Sequence, residues 1–251
     1  MFDNKRRIVI IGATSAIAEH CARLWVKDAD VDLTLVVRDM AKGERVATDL
    51  QVRSPQSVIR VLETDFIDPA AIRQLVDGIV AEGVVHTVLI AHGSLPDQAD
   101  CQQDLTACHD ALIINGVSPV QFAEAFAGHM QKANHGTLVI IGSVAGDRGR
   151  KSNYVYGSAK GLVMRYAQGL QHRLASTGVK VVLVKPGPTD TPMTTDIKQQ
   201  GGRLASVDNV AEIIVKGADK GLPVVYAPGK WAVIMMVIRH LPSFIFNRMD
   251  I

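Results

Sequence analysis

The sequence predicts a doubly wound α/β fold, a parallel sheet of about seven strands with helices on both faces. Three observations carry this prediction. Short apolar runs rich in Val, Ile and Leu recur along the chain and stop at Gly, Pro, Asp or Ser. Between them lie stretches in which polar and apolar residues mix at helical spacing. The alternation continues through the whole length, and strands apolar on both faces are strands covered by helices on each side.

The expected strands, in order, are RIVIIG (7–12), LTLVV (33–37), SVIRVLETD (57–65), VHTVLIAHG (85–93), GTLVIIGS (136–143), KVVLVKPG (180–187) and PVVYAP (223–228). Helices are expected over 15–28, 68–82, 103–132, 153–176 and 207–219. A chain of 251 residues with 47% hydrophobic and 21% charged residues can bury one large core, so 1–251 reads as a single domain. Ligands of such a sheet bind at the carboxyl ends of its strands, near the point where the chain order reverses.

Composition excludes several functions. The net charge is only +2 and the basic residues are scattered, so no nucleic-acid partner is expected. Three cysteines without CxxC spacing (Cys21, Cys101, Cys108) read as reduced thiols, and eight dispersed histidines give no metal motif. MFDNKRR runs directly into a strand, leaving no signal-peptide apolar region, so the chain is read as cytoplasmic with a small-molecule partner.

The strand ends hold the candidate site. After the first strand, Gly12 permits a tight turn, Thr14, Ser15, Ala16 and Ile17 can present backbone N–H groups, and the helix starting near Ser15 turns its positive end toward a pyrophosphate. The second strand ends at Arg38, where a guanidinium favours the 2′-phosphate of NADP(H), NAD(H) remaining possible because Asp39 follows; a solvated loop charge is the other reading of Arg38. After the third, Asp65 is placed to accept from an adenine amino group and Phe66 to lie beside the ring, although Asp65 also reads as a helix cap; Asp68 before Pro69 fills that role better. After the fourth, Ala91 and Gly93 are small enough for a cofactor to approach.

The fifth strand end is the most informative. Ser143 closes VIIGS, and YVYGSAKG begins eleven residues later at Tyr154. Tyr156 and Lys160 are four apart and share a helix face, so the ammonium is expected to lower the phenol's pKa and ready it as a proton donor to a carbonyl. Ser143 is placed to hydrogen-bond the same substrate oxygen.

With these residues the chain resembles the classical short-chain dehydrogenase/reductases, over nearly all of its length. The resemblance implies a Rossmann-type nucleotide fold and an Asn, Ser, Tyr, Lys tetrad at Asn115 (LIINGVSPVQF), Ser143 (IIGSVAG), Tyr156 and Lys160 (YGSAK). It implies Tyr156 as acid or base, Lys160 lowering its pKa and holding the nicotinamide ribose, Ser143 orienting the substrate oxygen, and Asn115 holding a water of a proton relay. In PGPTDTPM it implies Pro186, Gly187 and Thr189 at the nicotinamide carboxamide, with Thr191 nearby, and it implies a homodimer or homotetramer. Two departures stand out. The family's TGxxxGxG is IGATSAIA here, with Ile11, Ala16 and Ala18 in place of Thr, Gly and Gly; its NNAG is IAHG, where His92 reads as a bracing core residue rather than a catalytic one.

Specificity is expected in a substrate lid over 190–210, with Gly201 and Gly202 as hinges, and in an apolar tail over 228–251. The sixteen residues from Trp231 to Phe246 include Arg239, His240 and Pro242, too short and interrupted a run for a spanning helix. Two readings of the tail stay open: docking on a partner subunit or over the chain's own site, or peripheral contact with the inner face of a membrane. GATSAIA together with this tail resembles more narrowly a subgroup of bacterial reductases acting on sugars, including the decaprenylphosphoryl-2-keto-ribose reductase, which implies a keto-sugar or lipid-linked carbonyl substrate. A nucleotide sensor without chemistry, or a membrane-docked subunit of a glycoconjugate assembly complex, are the competing functions.

Overall fold

The computed structural model describes residues 5–199 and 201–249. The first four residues, Gln200 of the expected lid and the last two residues of the expected tail lie outside the described residues. The chain runs β1 (Arg6–Ile11), α1 (Ala16–Asp28), β2 (Val31–Val37), α2 (Met40–Arg53), β3 (Val58–Glu63), α3 (Pro69–Ala81) and β4 (Thr87–Ile90). Then come α4 (Gln98–Gln103), α5 (Leu105–Leu112), a π-helical turn (Ile113–Val117), α6 (Ser118–Ala133), β5 (Gly136–Ile141), α7 (Tyr154–Leu174) and β6 (Val179–Pro186). The last elements are α8 (Thr195–Gln199), α9 (Val207–Lys220), β7 (Val224–Ala227), α10 (Lys230–His240) and α11 (Ser243–Phe246).

Among the described residues the strands form one sheet in the order β3-β2-β1-β4-β5-β6-β7, each pair parallel. All seven expected strands are present. The reason lies in the register: Ile10 sits beside Leu35 on one side and Leu89 on the other, and Leu89 continues the row to Val139 and Val182. That row packs with Cys21, Trp25, Leu50 and Ile214 from α1, α2 and α9. The alternate residues Val9, Ile11, Val88, Ile90 and Ile140 face the opposite core, with Ile72, Phe122, Phe126 and Val163 from α3, α6 and α7. Both faces of each central strand are therefore buried, and a fully buried aliphatic side chain contributes about 1.5–3 kcal/mol.

Helix boundaries follow the local chemistry. Asp68 caps α3 by accepting from the Ala70 N–H, with Pro69 in the first helical position. The single helix expected over 103–132 is instead broken. Asp97 caps α4, Asp104 ends it and caps α5, and the chain then passes through the π-turn, in which the Ser118 N–H reaches back five residues to the Ile113 carbonyl. Helix α2 was not among the expected helices; it buries only Gly43, Val46, Ala47 and Leu50, a narrow stripe in a polar sequence.

The tail folds against its own chain. Met235 is fully buried, and the Arg148 guanidinium donates to the carbonyls of Ile238 (2.5 Å) and Leu241 (2.7 Å), satisfying the C-terminal end of α10, while it stacks on Phe246. Beside it, Lys185 donates to Asp147 at 2.8 Å and the Tyr226 hydroxyl donates to the same carboxylate at 3.1 Å. The Lys185 and Asp147 side chains are 5% and 2% exposed, so neither charge has water as an alternative partner. No helix among the described residues is long and apolar enough to cross a membrane. Replacing Asp147 with Asn leaves the Lys185 ammonium buried without its counter-charge and is expected to cost about 3–5 kcal/mol in urea unfolding; a loss under about 1 kcal/mol would contradict this account of the pair.

Candidate active site

Strands β1 and β4 are neighbours whose following helices lie on opposite faces of the sheet, so a crevice opens at their carboxyl ends. Its floor is set by one close approach. Gly12 has φ +80°, and a Cβ built on it would lie 2.6–2.8 Å from the backbone and Cβ of His92. Glycine is required here twice, for its conformation and for its missing side chain.

From that turn the chain enters α1, whose N-cap Ser15 makes no side-chain capping bond. Helices α2, α3, α4, α5 and α9 all have a side chain on their first-turn N–H groups. The first-turn donors of α1 are left for the cleft, which Thr14, Ser15, Ala16 and Ile17 line. Ala18, by contrast, is fully buried in the core beneath the helix.

His92 is a brace. Its Nε2 lies 2.8 Å from the Ser118 Oγ, and that hydroxyl donates to the Phe66 carbonyl at 2.5 Å. Since the serine proton is committed to Phe66, the imidazole must donate from Nε2, leaving a lone pair on Nδ1 that has no partner among the described residues. The ring ties the end of β4 to the start of α6 and to the loop after β3. Burial, reinforced by the charges of Lys160 and Arg38, lowers its pKa to about 3, so it is neutral.

The tetrad residues come from separate elements and line the same cleft of about 390 Å³. Asn115 sits in the π-turn, fully buried; its Oδ1 accepts from the Ser94 N–H at 2.8 Å and its Nδ2 donates to the Ala111 carbonyl at 2.9 Å. Gly93 gives it room, because a Cβ there would press on Asn115 Oδ1 at 2.8 Å. The Ser143 Oγ accepts from the Ala145 N–H at 3.1 Å and lies near enough to the Tyr156 phenol to favour its charged form. Lys160 donates to the Ile141 carbonyl at 3.1 Å, and its ammonium stands 5.8 Å from the centre of the Tyr156 ring.

Here the expectation for Tyr156 needs correction. Burial raises its pKa, and the nearby Ser143 only opposes the rise. Lys160 is itself so buried that its pKa falls to about 8, and at its distance from the ring it does not reverse the effect of burial. The phenol in this form of the protein holds its proton at neutral pH.

Of the expected cofactor residues, Gly12, Arg38, Phe66, Ala91, Gly93, Pro186, Gly187 and Thr189 also line the cleft. Two expectations change. Asp65 does not line it: its carboxylate accepts from the Ile67 N–H at 2.9 Å, closing a local turn on the surface. Phe66 is 1% exposed, with its ring edge-on to His92 and Phe122, so it is a core residue showing an edge to the cleft rather than a partner for a base. Asp39, the reason for doubting NADP, is occupied by the Lys42 N–H and ammonium.

The segment after β6 is pinned. The Thr189 hydroxyl donates to the Gly187 carbonyl, and residues 189 and 205 pair as a short parallel bridge. Thr191 and Met193 face the cleft. The indole of Trp231 lies where a side chain on Gly187 would be, so the tail backs the wall of the site. Trp231, Ser94, Arg150 and Asn153 were missed as site residues; only Trp231, at the head of the apolar tail, carried a signal. Among the described residues no His, Cys, Asp and Glu cluster forms a metal site, and the three cysteines are free.

The fold and this arrangement define an oxidoreductase of the short-chain type. The sequence pattern of the short chain dehydrogenase family matches residues 6–202, and the chain belongs to that family. An uncharacterised oxidoreductase of Streptomyces coelicolor is 31% identical over 97% of this chain and 96% of its own. One from Mycobacterium tuberculosis is 32% identical over 96% of each. The solved structure of a short-chain dehydrogenase from Sphingobium yanoikuyae in complex with NADPH superposes with a TM-score of 0.81 at 22% identity, covering 97% of this chain and 96% of that one.

The His92 shift has a sign that can be measured. Its folded pKa, about 3, lies below the ordinary 6.5, so between these values the unfolded chain takes up a proton that the folded one refuses. Stability should fall by about 4 kcal/mol as pH drops from 6.5 to 3 through this group. Unfolding of His92→Asn should show an acid slope about one proton shallower than the wild type; an unchanged slope would exclude a buried neutral His92.

Proposed function

We propose that the chain is an NADP(H)-dependent oxidoreductase that reduces a carbonyl, or oxidises a secondary alcohol, with Tyr156 transferring the proton. The observation that carries this is the convergence of Asn115, Ser143, Tyr156 and Lys160 on the cleft that also receives the uncapped start of α1. Family membership supports the reaction class. Ser143 holds the substrate oxygen beside the phenol. Tyr156, whose burial keeps it protonated, donates to that oxygen as it becomes an alkoxide, which favours the reducing direction. Lys160 keeps its charge below about pH 8 and would hold the nicotinamide ribose, while Asn115 would hold a water for the relay that reloads Tyr156.

The residues fit a dinucleotide. The α1 donors suit the pyrophosphate, Gly93 leaves space beside Lys160, and the Arg38 guanidinium, which has no carboxylate partner among the described residues, suits a 2′-phosphate; NAD(H) is the alternative cofactor. Pro186, Gly187 and Thr189 would flank the carboxamide. When bound, the nicotinamide exchanges hydride with the substrate carbon. The segment 190–210 acts as the lid. A keto-sugar, free or carried on a polyprenyl phosphate, is the substrate class suggested by the GATSAIA turn and the apolar tail.

The exposed tail face, with Val233, Met236, Val237 and Phe244, supports a contact outside the protomer. We read it first as part of a homodimer or homotetramer interface in the cytoplasm. A peripheral contact with the inner membrane face is the second reading, favoured by Lys230, Arg239 and Arg248 beside the apolar residues. Glu at both Val237 and Phe244 should reduce the sedimenting mass under the first and abolish vesicle pelleting under the second.

Tyr156→Phe should lower turnover by about 10²–10⁴-fold with NADPH affinity within twofold of wild type; retained turnover would exclude Tyr156 as the proton donor. Arg38→Leu should weaken NADPH by about tenfold or more while leaving NADH nearly unchanged in fluorescence titration. Tighter binding of NADH than NADPH by the wild type would refute the cofactor preference.

A further inference from the structure

The tetrad end of the cleft is lined by two residues that the proposed reaction does not use, each with a buried polar atom left unpaired among the described residues. Arg150 and Asn153 lie on one turn between β5 and α7, the Asn153 N–H donating to the Arg150 carbonyl at 3.1 Å, and both residues line the cleft. Asn153 stands at the N-cap of α7, where an asparagine side chain ordinarily accepts a first-turn N–H. It does not do so here. The Val155 N–H donates instead to Gln98 Oε1 at 3.0 Å, and Asn153 Oδ1 is left buried with no protein partner among the described residues.

Arg150 is in a similar state. Its Nε is buried and unpartnered, and among the described residues no carboxylate pairs with it. Elsewhere in the protein partly buried arginines meet acids: Arg7 and Arg60 meet Asp32, and Arg23 meets Asp49. Burial without a counter-charge lowers the Arg150 pKa. A half-buried guanidinium and a buried carbonyl oxygen left unpaired are costly unless something else completes them.

We propose that Arg150 and Asn153 form a substrate subsite that binds a hydroxylated carbonyl compound through an oxyanion, held by the guanidinium, and a hydroxyl that donates to Asn153 Oδ1. The subsite deepens the reading of the cleft as an NADP(H) oxidoreductase site and rests on it. A guanidinium matches a phosphate or carboxylate with parallel N–H donors, whereas a neutral ketone would leave it unpaired. The preference is therefore for charged over uncharged members of one substrate series.

The test is calorimetric titration of the full chain saturated with NADP⁺, using dihydroxyacetone, dihydroxyacetone phosphate, hydroxypyruvate, and a farnesyl phosphodiester of dihydroxyacetone in phosphatidylcholine vesicles. At least one charged probe should bind tenfold or more tightly than dihydroxyacetone. Which one does so identifies the source of the oxyanion: a free phosphate, a carboxylate or a lipid-linked phosphate. Arg150→Met should erase the preference, Arg150→Lys should retain part of it, and Asn153→Ala should weaken charged and uncharged hydroxy ketones alike. NADP⁺ affinity measured on each variant reports that it is folded. Equal binding of charged and uncharged probes, or a preference that survives Arg150→Met, overturns the subsite. Failure of NADP⁺ to bind the wild type would instead overturn the cofactor reading on which it rests.

Discussion

The contact on which the rest of the site depends is the approach of Gly12 to His92 across the gap between β1 and β4. A seven-stranded parallel sheet opens a crevice where the connections of adjacent strands leave on opposite faces. The crevice is usable only if the two strand ends close beneath it. Gly12, at φ +80° and with no side chain, lets the turn lie on the His92 backbone; His92, kept neutral by burial, in turn holds Ser118, whose hydroxyl donates to the Phe66 carbonyl. The start of α1, the loop after β3 and the π-turn leading into α6 thereby share one rigid point. Asn115 lies in that π-turn, so the brace also positions one member of the tetrad.

Desolvation sets the chemistry of the cleft more than pairing does. Lys160, Tyr156 and His92 are all buried, and in each the largest influence on the pKa is burial against the charged form. The consequence is a neutral phenol beside a cation held only loosely in its charged state. Such a site is arranged for a ligand that brings negative charge, since a pyrophosphate near α1 and a developing alkoxide near Tyr156 would both be met by donors already oriented. The tail contributes from behind: Trp231 supports Gly187, Arg148 holds the end of α10, and Arg239 of α10 lies 3.9 Å from Asp147.

Much of this was legible in the sequence, for physical reasons that differ from element to element. The strands were readable because burial on both faces forces continuous runs of Val, Ile and Leu. Tyr156 and Lys160 stand out because four-residue spacing puts them on one helix face, whereas Asn115 is named only through the family resemblance; the fold brings all four residues to one cleft. The surroundings of Asp65 were not readable, because a carboxylate one residue before Phe66 can serve a ligand or its own turn, and only geometry shows that its Oδ1 accepts from the Ile67 N–H. Helix 103–132 was overextended because Asp104 inside a polar stretch gives no sign that it ends one helix and caps another. Arg150, within GDRGRKSN, looks like any solvated loop charge until Gln98, more than fifty residues away in sequence, is found capping α7 in place of Asn153.

The claim that the Gly12–His92 contact shapes a dinucleotide site is tested most directly by NADPH titration of Gly12→Ala, with circular dichroism recorded on the same sample. A methyl there meets backbone within 3 Å and strains a positive φ, so the turn must move off His92. The account predicts at least a tenfold loss of NADPH affinity with helix and sheet content retained. Wild-type affinity in Gly12→Ala would contradict it.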